Sequence, residues 1–143
     1  MKTMSCLIVD DDIDFANMIA ASVRSWGYDT VVCHNWLTVM VKLKKHDIDL
    51  IIADVETPTG NGLSVIQFLS QDPIVANTPK VFVTGLNDDK TKQHCQNLNA
   101  SHIHKSNTVM HDLKAFCRAH ASTNDCGRHP AASSSASSSA VTA

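Results

Sequence analysis

Residues 49–58 read Asp-Leu-Ile-Ile-Ala-Asp-Val-Glu-Thr-Pro, DLIIADVETP. Leu50, Ile51, Ile52 and Ala53 put an apolar residue on both sides of an extended chain. That is the pattern of a strand buried on both faces, as in parallel sheets. A charge, Asp54, follows at once, and Thr57–Gly62 (TPTGNG) reads as a loop by composition. An acid at the tip of a buried strand has a structural reading, in which the chain has simply surfaced. It also has a chemical reading, in which the strand presents a carboxylate for reaction.

The flanking sequence supplies the frame. Ser5–Val9 reads as a first strand. A helix over Ile13–Trp26 follows, with Phe15, Met18, Ile19, Val23 and Trp26 on one face, Asp12 as N-cap and Gly27 as stop. Tyr28–Cys33 is the second strand. Trp36–Lys45 is a helix capped by Asn35, with Lys42, Lys44 and Lys45 facing water. Ile48–Ala53 is the third strand. Leu63–Ser70 reads as a helix through Val65, Phe68 and Leu69, and Lys80–Val83, after Pro79, as the fourth strand. Asn87, Asp88 and Asp89 signal the start of a polar helix reaching Asn97, to which only Cys95 and Leu98 bring much for a core. A thin apolar face of that kind predicts low local stability, which suits an element that moves. His102–His104 is a weak fifth strand, and Asn107–His120 a last helix with Val109, Leu113, Phe116 and Cys117 on one side. The expected organisation is one domain over residues 1–120. A Ser/Ala-rich tail over 121–143 is expected to be disordered.

Five strands alternating with five helices predict an α/β fold: a parallel sheet with helices on both faces. In such sheets the ligand crevice lies outside the carboxyl ends of the strands, where strand order reverses. Asp10 and Asp11 follow the first strand, Asp54 ends the third, Thr84 the fourth and Lys105 the fifth. All share one end, so all can converge. Two like charges near 4 Å repel by ~4 kcal/mol at an effective dielectric of ~20. Three carboxylates together therefore call for protons or a cation. Mg²⁺ suits a site with few carboxylates whose remaining ligands are water and phosphate. Lys105 and Thr84 suit the phosphate itself. Asp54 can then serve as a nucleophile that forms an aspartyl-phosphate, with metal and lysine offsetting charge during transfer.

Composition narrows the alternatives. Hydrophobic residues make up 43% and charged residues 18% of the 143, and net charge is −2, which gives no basic face for nucleic acid. Apolar runs such as Cys6–Val9 fall far short of the ~20 residues of a membrane span, and residues 1–5 show no secretory signal. The cysteines Cys6, Cys33, Cys95, Cys117 and Cys126 form no CxxC pair. They read as small hydrophobes in a reduced, cytoplasmic setting. Cys126 and His129 form a lone C-x-x-H that cannot complete a zinc site, and His94, His102, His104 and His111 match no ligand spacing.

Over residues 3–120 the chain resembles the receiver domain of two-component response regulators (CheY-like). The pieces that carry the resemblance are Leu7-Ile8-Val9-Asp10-Asp11-Asp12, Asp49–Asp54 with Pro58 and Gly62, Val81-Phe82-Val83-Thr84-Gly85, and Lys105. The resemblance implies a doubly wound, flavodoxin-like five-stranded sheet of order 2-1-3-4-5. It implies that Asp54 takes a phosphoryl group from a histidine of a sensor kinase or phosphotransfer protein. Asp10, Asp11, Asp54 and the backbone carbonyl of Glu56 would hold Mg²⁺. Thr84 would swing toward the phosphoryl group, Lys105 would pair with it, and His102 would occupy the aromatic switch position.

A downstream protein would read the face formed by the fourth helix, fifth strand and fifth helix, with no nucleic acid or membrane involved. The chain would be a phosphoacceptor rather than an enzyme, catalysing only its own phosphorylation and dephosphorylation. Three features depart from or qualify the pattern. Ser106 replaces the usual proline, so a trans bond is expected after Lys105. His102 replaces the usual aromatic residue and offers pH sensitivity. Gly85 stands where a small residue is usual.

Plainer readings stand beside these. Asp10 and Asp11 could only favour a helix N-terminus, Lys105 could be a surface lysine, Thr84 a turn cap, and the Glu56 side chain could simply face water. Two other functions compete. One is a receiver-like binding platform without phosphotransfer. The other is a haloacid-dehalogenase-type phosphatase, whose D-x-D-x-T motif Asp54-Val55-Glu56-Thr57 resembles. That motif follows the third strand here, its second acid is Glu, and Asp10-Asp11 would be left unexplained.

Overall fold

The computed structural model describes the backbone of residues 3–57 and 60–128, with side chains for 3–56 and 61–120. Five strands form one sheet: β1 (Ser5–Val9), β2 (Asp29–Cys33), β3 (Leu50–Ala53), β4 (Lys80–Thr84) and β5 (Ser101–His104). Every pairing is parallel, and the order is β2-β1-β3-β4-β5. This is the doubly wound, flavodoxin-like arrangement expected from alternating strands and helices. β1, β3 and β4 are the inner strands. Their side chains from Cys6 to Val9, Leu50 to Ala53 and Val81 to Val83 are almost wholly excluded from water.

Five main helices cover the sheet: α1 (Ile13–Ser25), α2 (Trp36–Lys45), α3 (Gly62–Leu69), α4 (Asp89–Asn97) and α5 (Val109–Arg128). One core lies beneath α1 and α5 and takes in Ile8, Ile19, Val23, Ile52, Leu113 and Phe116. The other lies beneath α2, α3 and α4 and takes in Leu7, Trp36, Ile51, Ile66 and Phe82. Helix starts follow side-chain chemistry. Asp12 accepts from the Phe15 N–H, Asn35 from Thr38, Asn61 from Leu63 and Asp88 from Thr91, satisfying donors that a helix leaves free. Gly27, at φ +100°, lets the chain leave α1 and enter β2.

Several expectations need correction. Met18 is exposed, because α1 buries the i, i+3, i+4, i+7 set Ala16, Ile19, Ala20 and Val23 instead. Phe68 is also exposed, since α3 turns Leu63 and Ile66 inward. Within the stretch read as a loop, Glu56–Thr57 pairs antiparallel with Gly60–Asn61, and α3 already starts at Gly62. A short helix at Pro73–Asn77 went unforeseen. Asp72 caps it and Pro73 sits at its start, where a missing N–H costs nothing. α5 reaches Arg128, eight residues beyond the expected end. The tail expected to be disordered is thus helical over 121–128, and its remainder, 129–143, lies outside the described residues, as does His129 of the C-x-x-H pair. α4 is as thinly anchored as its composition implies: only Thr91 and Cys95 within it are buried.

Candidate functional site

The carboxyl ends of β1, β3 and β5 bring three acids and a lysine together. Asp10 and Asp54 are only 2% and 8% exposed, whereas Asp11 faces water. One carboxylate oxygen from each of the three lies within 4.8 Å of the others. The Lys105 ammonium donates to Asp10 Oδ2 at 3.0 Å and lies 3.6 Å from Asp54 Oδ2. Sheet register sets these positions. The Asp10 N–H bonds to the Cys33 carbonyl of β2, the Asp54 N–H to the Val9 carbonyl of β1, and the Lys105 N–H to the Thr84 carbonyl of β4.

Asp10 is the most heavily tied group. Its Oδ1 accepts from the Asp12 N–H at 2.9 Å, and its backbone carbonyl accepts from a His34 ring nitrogen at 3.0 Å. Gly62 packs against the Asp54 carbonyl so closely that a Cβ there would come within 2.4 Å of that oxygen and 3.0 Å of the Trp36 ring. The Trp36 indole therefore lies against the backbone of the site.

These charges do not neutralise one another fully. The Asp54 carboxyl is raised from 3.8 to about 6. Burial is the main cause, helped by the charges of Asp10 and Asp11 and opposed by Lys105 and by an N–H bond from Glu56. For Lys105, burial alone would lower the pKa. The bond to Asp10 and the charge of Asp54 outweigh it, so the ammonium is raised above the usual lysine value. The donor set is all oxygen, crowded and anionic, which fits a hard divalent cation such as Mg²⁺.

Thr84 is 1% exposed, and its hydroxyl accepts from the Leu86 N–H at 3.0 Å. It is thus tied to its own loop rather than to the acids. The half-buried His102 donates through Nε2 to the Leu86 carbonyl at 2.9 Å, and His104 approaches the Gly85 carbonyl at 3.2 Å. A single residue, Leu86, therefore links the two expected switch positions. The Glu56 side chain is exposed, while its N–H faces the Asp54 carboxylate. The bond after Lys105 is trans, as expected, and no cis peptide occurs among the described residues. Among these residues the histidines form no metal cluster; the acid triad is the one group that could hold an ion. The described cysteines Cys6, Cys33, Cys95 and Cys117 are buried and free.

Sequence reasoning missed His34 and underused Gly62 and Phe15. His34 follows β2 at the same end of the sheet as the acids. The strand-end rule that gathered Asp10, Asp54 and Lys105 would have included it.

The model of the response regulator receiver domain family matches residues 6–114. With the strand order and the acid-lysine rim in view, the chain belongs to that family of signalling domains. It is 25% identical over 108 residues to the transcriptional regulatory protein CrdR of Helicobacter pylori, covering 76% of this chain and 50% of the relative. It is 34% identical over 77 residues to the DNA-binding response regulator MtrA of Mycobacterium tuberculosis, covering 52% of this chain and 34% of the relative. The chain thus spans half or less of the length of these two curated relatives. Among solved structures, a two-component response regulator from Clostridium difficile superposes with a TM-score of 0.77 at 19% identity, covering 86% of this chain and 99% of that one. The chemotaxis protein CheY4 of Vibrio cholerae gives 0.74 at 23%, covering 82% and 98%. Both likenesses concern the fold. Among the described residues, no helix is long and apolar enough to cross a membrane.

Proposed function

We propose that this receiver takes a phosphoryl group from a phosphohistidine of a sensor kinase or phosphotransfer protein onto Asp54. The observation that carries the reading is the meeting of Asp10, Asp11, Asp54 and Lys105 at one rim, with Asp54 buried and its carboxyl pushed up. In the transfer, an Asp54 carboxylate oxygen forms a bond to phosphorus while the bond from phosphorus to the donor imidazole nitrogen breaks. The imidazole leaves as neutral histidine after taking up a proton. Lys105 already lies within reach of Asp54, so its ammonium can meet the phosphoryl oxygens without a large rearrangement.

Asp10, Asp11, Asp54 and the Glu56 carbonyl would hold Mg²⁺, which supplies charge neutralisation for the incoming phosphoryl group when bound. Thr84 would exchange its bond with Leu86 for one to the phosphoryl group. Since His102 holds the same residue, that exchange would reach β5 and shift a pre-existing equilibrium. The shift would be read by a protein partner on the face of α4, β5 and α5. There a polar groove of about 650 Å³ is lined by Lys92, Gln96, His102, His104 and Asp112.

A cytoplasmic setting, a phosphoacceptor unit within residues 1–120 and the absence of nucleic-acid contact by that unit are further parts of this reading. The relatives named as DNA-binding or transcriptional regulators are longer chains, of which the matched region is half or less.

The test is intact-mass spectrometry after exposure to acetyl phosphate with Mg²⁺. The wild type should gain one phosphoryl group and Asp54→Asn none. A gain that survives the substitution removes Asp54 from its role. No gain in either points to a binding platform without phosphotransfer. Continuous turnover of a phosphomonoester would favour a phosphatase.

A further inference from the structure

Lys105 has a third neighbour besides its two carboxylates. Its ammonium lies 4.6 Å from the ring centroid of Phe15. Phe15 stands in the first turn of α1, half-buried at the edge of the core beneath that helix. Its N–H donates to the Asp12 carboxylate at 3.0 Å, and the Asp12 N–H donates to Asp10 Oδ1 at 2.9 Å. Asp10 Oδ2 in turn accepts from Lys105 at 3.0 Å. Asp10, Asp12, Phe15 and Lys105 therefore close a ring of contacts around the rim, in which the aromatic face is the only apolar member.

The core does not require an aromatic residue at this position. α1 buries Ala16, Ile19, Ala20 and Val23, and Phe15 lies beside that stripe rather than within it. A leucine would fill the same edge. What leucine lacks is a π face, whose negative potential attracts a cation and shields it on one side from water. A lysine is long and flexible, and two carboxylates alone leave its stem free to sweep. The Lys105 side chain keeps 26% exposure, so solvent remains a competitor for its ammonium.

We propose that Phe15 is a positioning residue for Lys105, holding the ammonium over the phosphoryl site before the phosphoryl group arrives. This deepens the phosphoacceptor reading and rests on it. The test compares wild type, Phe15→Leu, Phe15→Tyr, Lys105→Met and the Phe15→Leu/Lys105→Met double variant in beryllofluoride binding with Mg²⁺. Phe15→Leu should weaken binding about three- to tenfold, and Phe15→Tyr, which keeps the ring, should restore it. In the Lys105→Met background the leucine should cost nothing further, since its effect runs through the ammonium.

An independent readout needs no metal. In EDTA, the Lys105 ε-methylene protons should show a ring-current upfield shift in wild type and Phe15→Tyr, but not in Phe15→Leu. Equal loss in both backgrounds, unchanged binding in Phe15→Leu, or no ring-current shift in wild type would each overturn the proposal. If wild type binds neither beryllofluoride nor a phosphoryl group, the phosphoacceptor reading fails, and the ring-current shift still reports whether the Phe15 contact exists.

Discussion

The two ends of the sheet each bury charge, and they do so differently. At the carboxyl end, Asp10 and Asp54 are 2% and 8% exposed, surrounded by Lys105, Asp11 and backbone N–H groups. At the opposite end, Lys80 opens β4 at 2% exposure, and its ammonium donates to the Ala76 carbonyl at 3.3 Å. That carbonyl lies near the C-terminus of the short Pro73–Asn77 helix, where the backbone dipole favours a cation. Burial lowers the Lys80 pKa. Burial is also the largest influence on Asp54, but there several charges pull in both directions. A lone buried charge is a cost carried by the fold. A crowded one, with neighbours that would change partners when an anion or cation arrives, can do chemistry.

The largest effect expected from breaking this contrast is at Gly62. Any side chain there drives a Cβ into the Asp54 carbonyl, with the Trp36 ring and Phe82 behind it. Gly62→Ala should destabilise the protein by about 3 kcal/mol or more in urea unfolding, as overpacking against backbone does. A near-neutral result would mean the loop before α3 can shift, and that Asp54 is less rigidly placed than described.

Asp54→Asn should have the opposite sign in metal-free protein. A carboxyl raised from 3.8 to about 6 makes the folded state bind protons more tightly than the unfolded chain. Stability therefore falls as pH rises across that window, and the penalty is complete above it. In EDTA at pH 7 the asparagine variant should be more stable than wild type by roughly 1–3 kcal/mol. The gap should close as pH is lowered below 4. Mg²⁺ should shrink the gap at pH 7 by stabilising the wild type more than the variant, which lacks one of the carboxylates.

Lys80→Met should stabilise more modestly, by about 1 kcal/mol at pH 7, because a buried ammonium gives way to an apolar chain of similar length. Here too the sign is fixed. A lysine lowered on folding penalises the folded state at low pH, and the penalty lifts as pH rises from its lowered value toward the ordinary one. Phosphoryl labelling should be unaffected, since Lys80 lies at the far end of its strand. A loss of labelling in Lys80→Met would show that the two ends are coupled.

Much of this was legible in the chain itself. β1 and α2 fall where apolar runs and the Asn35 cap place them, and the strand-end rule alone gathers Asp10, Asp11, Asp54 and Lys105. What was not legible depends on packing in three dimensions. Met18 and Phe68 satisfy a helical spacing, yet the sheet selects a neighbouring stripe on each helix. Phe15 reads as a core residue until the fifth strand brings Lys105 over its ring. Lys80 was read only as the first residue of a strand, and its hydrogen-bond partner, the Ala76 carbonyl, belongs to the unforeseen short helix. Thr84 and His102 could be picked out one by one, but their common partner Leu86 could not.

The contrast between the two ends comes down to whether Asp54 is poised by its neighbours. Carbon-13 detection of the Asp54 side-chain carboxyl through a pH titration in EDTA, repeated with saturating Mg²⁺, measures this directly. The expected midpoint in EDTA is about 6, moving to lower pH when Mg²⁺ is added. An ordinary aspartate midpoint near 4, indifferent to Mg²⁺, would contradict the account.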